Sequence, residues 1–174
     1  MPNHVINEVL LHGIKLADCR QHLIDGDGKV SFAVILPLPL NFWAGSVGSQ
    51  HEEAFPGTHL DAARDLWGTK WNAYGDPTAE DTPEGTLIRF KTAWNTPRGW
   101  ICALFNTLKC EISVKWLSEG GGDGMLEHFV WDAKGYFGPS WKHERIVEGS
   151  EEHRRLHFLL WGVEEFGDEE ANDD

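Results

Sequence analysis

Between Thr86 and Trp116 the apolar residues change period twice, and that change limits the chain to a mixed fold. Ile88, Phe90 and Trp94 fall on one face of a strand, with Arg89 and Lys91 on the other. After Pro97, the residues Trp100, Ile101, Leu104, Phe105 and Leu108 form a continuous stripe at helical spacing. Ile112, Val114 and Trp116 then alternate with Glu111, Ser113 and Lys115. A one-faced strand, an amphipathic helix and another one-faced strand require a sheet covered by helices.

The flanking segments extend that pattern. His4 to His12 reads as a strand ending at Gly13, and Leu16, Cys19, Leu23 and Ile24 have helical spacing. Asp25-Gly26-Asp27-Gly28 stops the helix. Val30 to Leu36 is apolar on both faces, which predicts a buried central strand ended by Pro37 and Pro39. Residues 41–57 and 75–85 read as loops, rich in Gly, Pro and polar residues. Thr58 with Asp61 resembles a capping box opening a short helix through Leu60, Ala63, Leu66 and Trp67. Residues 119–124 make a glycine turn, and Leu126 to Tyr136 reads as one or two strands. Ser150 can cap a last helix that packs through Leu156, Leu159, Leu160 and Val163. The order predicts an α+β, ferredoxin-like sandwich over residues 1–147, mostly antiparallel with helices on one sheet face. A C-terminal acidic helix and a solvated tail would occupy residues 148–174.

Charge narrows the partners. The net charge is −13, and residues 148–174 hold ten acids against Arg154 and Arg155. No basic stripe interrupts this, so direct duplex DNA binding and an anionic membrane surface are both disfavoured. A basic protein partner suits the charge. No apolar run approaches a membrane span, and the N-terminus lacks the pattern of a signal peptide. Cys19, Cys102 and Cys110 have no CxxC spacing, so a reducing cytoplasm is expected and a cysteine metal cluster is not.

The most unusual segment is Trp67-Gly68-Thr69-Lys70-Trp71-Asn72-Ala73-Tyr74. A helix end needs the glycine and one apolar anchor, not an ammonium, an amide and three aromatic rings. Such rings suit stacking on a planar ligand or anchoring an interface. Sheet geometry would gather Trp67, Lys70, Trp71, Asn72, Tyr74, Trp94 and Glu119 into a cleft beside the glycine turn. Lys70 and Glu119 would then form an ion pair or an acid–base couple. The competing reading is an aromatic corner that only locks loops together.

MPNHVIN at the start, WGTKWNAY, FKTAWNTP and LSEGGG, in that order, resemble blocks of the YubB-like family of plasmid and phage proteins. The FKTAW block resembles the family's FDTAW, with Lys91 where an acid is usual. The resemblance spans residues 1 to about 140 and omits the acidic C-terminal region. It implies a ferredoxin-like domain, residence on mobile elements and hence a bacterial host cytoplasm. It supplies no activity.

Other motifs fail on chemistry. Glu119 to Gly124 lacks the Gly-Lys-Ser/Thr of a phosphate loop, and Lys29 stands where a calcium loop needs its third acid. His153 and His157 lie i, i+4, but Arg154 follows the first, against the zincin pattern. No catalytic residue, metal site or cofactor is therefore assigned. The expected function is protein binding by an acidic mobile-element accessory protein that imitates nucleic acid and blocks a host or defence complex. Glu148, Glu151, Glu152, Glu164, Glu165, Asp168, Glu169 and Glu170 would meet the partner. The alternative is a small enzyme or ligand-binding protein that holds a nucleotide-like group in the WGTKW cleft. Single-stranded nucleic-acid binding on aromatic platforms is opposed by the charge.

Overall fold

The computed structural model describes residues 3–38, 59–119, 124–130 and 140–162. These residues form a six-stranded antiparallel sheet with four α-helices. The strands are β1 (His4–His12), β2 (Tyr74–Asp81), β3 (Gly85–Ala93), β4 (Ile112–Ser118), β5 (Gly124–Val130) and β6 (Ser140–Ile146). They lie in the order β2-β3-β1-β4-β5-β6. The helices are α1 (Leu16–Leu23), α2 (His59–Trp67), α3 (Arg98–Leu108) and α4 (Glu151–Trp161). No helix among the described residues is long and apolar enough to cross a membrane.

β1 pairs with β3 on one side and β4 on the other. Its sequence is apolar at both odd and even positions because both faces are covered. Val9 and Leu11 join the main core with Cys19 and Leu23 of α1, Ala63 and Trp67 of α2, and Trp100, Ile101, Leu104 and Phe105 of α3. Ile6 points the other way and meets Leu117, Ile146, Leu156 and Leu160. Helices α1 to α3 thus share one sheet face, and α4 lies on the opposite one. Burying a leucine or isoleucine stabilises by about 1.5–3 kcal/mol, so this smaller core is enough to seat α4. Its N-cap is as expected: Ser150 Oγ accepts from the His153 amide at 3.2 Å. At the other end, Lys91 Nζ donates to the Leu160 carbonyl at 2.6 Å, a cation on the negative end of the helix dipole.

Two sequence expectations are overturned. Val30 to Leu36 is not a central strand. It makes an isolated bridge from Val30 to Ile24 and a short 3-10 turn at Phe32–Val34. Its apolar side chains fill the helix layer, where Phe32 packs on Trp67, Phe90 and Trp100 with ring centroids 4.8–5.7 Å apart. A run of large apolar residues signals burial without saying in which layer. Residues 75–85, expected as a loop, contain most of β2. This strand is at the sheet edge and mainly exposed, so it has no apolar face to betray it. Pro77 falls in the register shift between Tyr74 and Thr78, where no ladder hydrogen bond is lost. The expected loop at 41–57, Thr58 and the centre of the glycine turn lie outside the described residues, as do 131–139.

The α2 and α3 helices meet at very short range. A methyl on Gly99 would stand 1.9 Å from the Leu66 carbonyl oxygen. This contact fixes the exit of α2, and with it the WGTKWNAY segment, against the start of α3.

Candidate functional site

The segment following α2 splits into a structural half and an exposed half. Trp67 is buried, and its indole Nε1 donates to the Leu36 carbonyl at 2.8 Å. Asn72 Oδ1 accepts from the Phe32 amide at 2.8 Å and the Ala73 amide at 2.9 Å, while its Nδ2 donates to Ser31 Oγ at 2.8 Å. These two residues close the loop around the 3-10 turn. Thr69 does similar work, its hydroxyl donating to the Ala93 carbonyl at 2.8 Å.

Lys70, Trp71 and Trp94 come together on the surface. Trp71 and Trp94 are 38% and 42% exposed. The Lys70 ammonium lies 4.6 Å from the Trp94 ring centroid and 5.2 Å from that of Trp71. Arg64 also lies over Trp94, at 4.9 Å. Trp94 adopts a left-handed backbone, φ 73°, which is costly for a bulky residue. Its amide, bonded to the Asn3 carbonyl at 2.8 Å, helps to hold the strained turn. Beside it, Gly68, Asn95, Thr96, Arg98 and Trp116 bound a hollow of about 340 Å³. Below that hollow the buried Glu127 Oε1 accepts from Arg98 Nη2 at 2.5 Å and Trp116 Nε1 at 3.1 Å.

Tyr74 and Glu119 form a separate group around the start of β1. The Tyr74 hydroxyl donates to the Thr92 carbonyl at 2.9 Å and lies 2.6 Å from His4 Nδ1. Burial, with the Glu119 charge, pushes its ionisation up to about 12. Glu119 Oε2 accepts from the His4 amide at 2.6 Å. The expected Lys70–Glu119 pair is not formed: the ammonium is held by indole rings and the carboxylate by backbone. An acid–base couple between them is therefore excluded in this arrangement. Trp71 links the two groups, edge-on to Tyr74 at 5.9 Å.

The acidic positions also divide. Glu148 and Glu151 are exposed. Glu152 instead turns inward, accepting from Arg155 Nε at 3.0 Å and pairing with Lys115 at 2.8 Å. Its hydrogen bond from Arg155, aided by Lys115 and opposed by burial, draws its carboxyl down to about 2. Glu164, Glu165, Asp168, Glu169 and Glu170 lie outside the described residues.

Sequence reasoning missed the group that Glu152 joins. On the sheet face that carries α4, Glu8 is only 5% exposed. Its Oε1 accepts from Arg89 Nε at 2.7 Å and Arg155 Nη1 at 2.9 Å, and its Oε2 is bound by Arg155 Nη2. Burial alone would raise the Glu8 carboxyl, but the two guanidiniums outweigh it and hold it below 4.5. Arg89 also pairs with Glu80 at 2.6 Å. The available signal was a lone acid in the middle of an apolar strand, since a buried carboxylate needs a cation on a neighbouring strand or helix. No group of three or more metal-ligating side chains is placed to hold a metal among the described residues.

Comparison with protein-family models, with curated proteins and with solved structures finds no match to the chain.

Proposed function

We propose that this chain is an accessory protein that acts by binding a basic protein surface rather than by catalysis. The observation carrying the reading is how charge is distributed between contacts and solvent. Arg89, Arg98, Lys115 and Arg155 are each paired with a carboxylate. Arg64 and Lys70 lie on Trp94, and Lys91 caps α4. By contrast, Asp18, Asp27, Asp65, Asp76, Asp81, Glu84, Glu111, Glu144, Glu148 and Glu151 are exposed. Seven of the fifteen cations thus serve such contacts, and these ten exposed carboxylates outnumber the six other exposed cations, Lys15, Arg20, Lys29, Lys109, Arg145 and Arg154. Spaced carboxylates can occupy a groove built for phosphates, so the partner is a nucleic-acid-handling protein, such as a host or defence complex, and the effect on it is inhibition.

The strand order β2-β3-β1-β4, with helical crossovers before β2 and before β4, supports reading this part of the chain as ferredoxin-like. With the WGTKWNAY and FKTAWNTP blocks it supports a place in the YubB-like family, and through it a mobile-element origin and a bacterial cytoplasm. Immobilised protein should capture a nucleic-acid-handling protein from bacterial lysate at low salt, and added duplex DNA should release it. Capture that duplex DNA leaves intact, or no such protein at all, overturns the reading.

A second reading has its own support in Lys70, Trp71 and Trp94. Two exposed indoles sharing one ammonium suit a planar anionic ligand such as a nucleotide. Titration with nucleotides should quench tryptophan fluorescence in the native chain and not in Trp94→Ala. An unchanged spectrum with every nucleotide removes this reading.

A further inference from the structure

The described residues cover the sheet face carrying α4 only in part, and beside the helix they leave a cleft of about 320 Å³. This is at the small end of the range for small-molecule sites. The strand register builds its floor as two adjacent rows. In one row Glu8 stands opposite Arg89 on β3 and Lys115 on β4. In the next, Leu10 stands opposite Leu87 and Ser113. α4 supplies one wall through Glu152 and Arg155, and the β2–β3 turn supplies the other through Thr82, Pro83 and Glu84. The Ser113 hydroxyl lies 2.7 Å from His12 Nε2 at the end of the apolar row.

The hydrogen-bonding capacity of the charged row is lopsided. Both oxygens of Glu8 and both of Glu152 are occupied by guanidinium or ammonium donors. The cations have donors left over. Arg89 uses Nε and Nη1, and its Nη2 has no partner among the described residues. Lys115 makes one ion pair through an ammonium that carries three N–H groups. Arg89 and Lys115 are 35% and 39% exposed. A ligand entering this cleft therefore meets unoccupied donors on the floor, where the Glu8 and Glu152 acceptors are saturated, with leucine side chains alongside and the exposed Glu84 carboxylate on the far wall.

We propose that this cleft binds a small organic oxyanion, a carboxylate or phosphate monoester on a short apolar body. The oxyanion takes the free donors of Arg89 and Lys115, and the body lies over Leu10 and Leu87. Glu8 and Glu152 act as positioning residues, since they hold the cations apart and aimed. The site lies apart from the Trp94 patch and shares only Glu84, which does not hold the oxyanion, with the acidic surface, so its failure leaves both of those readings untouched.

The test is a calorimetric titration of the full chain with 3-phenylpropionate, phenyl phosphate and the neutral 3-phenylpropionamide. Amide shifts are mapped by NMR in parallel. At least one of the two anions should bind, with shifts on β1, β3 and β4, and the amide should bind about tenfold more weakly. The tighter anion identifies which oxyanion the site takes. Lys115→Met should weaken the anion about tenfold. Leu10→Trp, which fills the cleft and leaves its charges in place, should abolish binding. Equal binding of acid and amide, shifts clustered around Lys70, or no binding by either anion overturns the proposal.

Discussion

Arg155, on the last helix, closes on Glu8, in the first strand, through both guanidinium Nη atoms and both carboxylate oxygens. The two residues are 147 positions apart, so this contact ties the last described helix to the centre of the sheet. It also explains how an acid can sit in a largely buried inner strand. With one face of Glu8 on Arg89 and the other on Arg155, a charge that would be costly alone is compensated.

Stability should fall in acid through this cluster. Glu8 and Glu152 both have folded-state ionisation below the ordinary 4.5, Glu152 at about 2. A lowered value means that their contribution is complete above pH 4.5 and is lost as pH falls through the folded values. Urea midpoints measured between pH 7 and pH 3 should show this decline. Arg155→Met should cost about 1–3 kcal/mol at neutral pH, less than a fully buried pair because Arg155 is partly exposed. The variant should also flatten the acid slope. An unchanged slope would place the acid response elsewhere.

Lys91 is a second test of how α4 is held. Its ammonium meets the Leu160 carbonyl at 2.6 Å. Lys91→Asp, the residue type usual in the FDTAW pattern, puts a negative charge on the negative end of the helix. The expected loss is about 1–2 kcal/mol, with hydrogen exchange accelerating in α4 before the rest of the chain. Uniform acceleration would mean that α4 does not open independently.

Glycine substitutions should separate close packing from backbone preference. Gly99→Ala places its methyl 1.9 Å from the Leu66 carbonyl oxygen. Backbone cannot move aside as a side chain can, so a loss above about 3 kcal/mol is expected, visible as failed soluble expression. Gly149 has φ 72° and nothing within 4 Å of the added methyl. Gly149→Ala should therefore cost only about 1 kcal/mol, from strain alone.

Thiol reactivity reports on the main core. Burial raises the thiols of Cys19 and Cys102 and pushes Cys110 up to about 11. A disulfide reagent at neutral pH should react slowly with all three in the native chain and rapidly in guanidinium. Fast labelling of Cys19 or Cys110 in the native state would contradict their burial.

Where one face was buried and the other wet, the sequence was legible. The α3 stripe from Trp100 to Leu108 and the Ser150 cap were read directly, because their periods and end residues follow from local chemistry. β2 was not legible, since an edge strand such as Tyr74–Asp81 can be polar on both faces. Nor was the layer of Val30 to Leu36, because apolar runs look alike in sheets and in helix layers. At the candidate site, composition marked Trp67 to Tyr74 as unusual but could not say which rings face water. Trp67 is buried and Asn72 half-buried, while Trp71 and Trp94 are exposed. Of the Glu8 cluster only Glu8 itself left a signal, because its partners come from four other elements distant in sequence.

The central claim is that exposed carboxylates recognise a cationic protein groove. Its most direct test is the salt dependence of binding between the captured partner and two forms of this chain, native and Asp18→Asn/Glu84→Gln/Glu148→Gln/Glu151→Gln. The native chain should lose affinity steeply as salt rises, and the neutralised chain should bind more weakly with a shallower slope. Equal affinity and equal slope for the two forms would contradict the account.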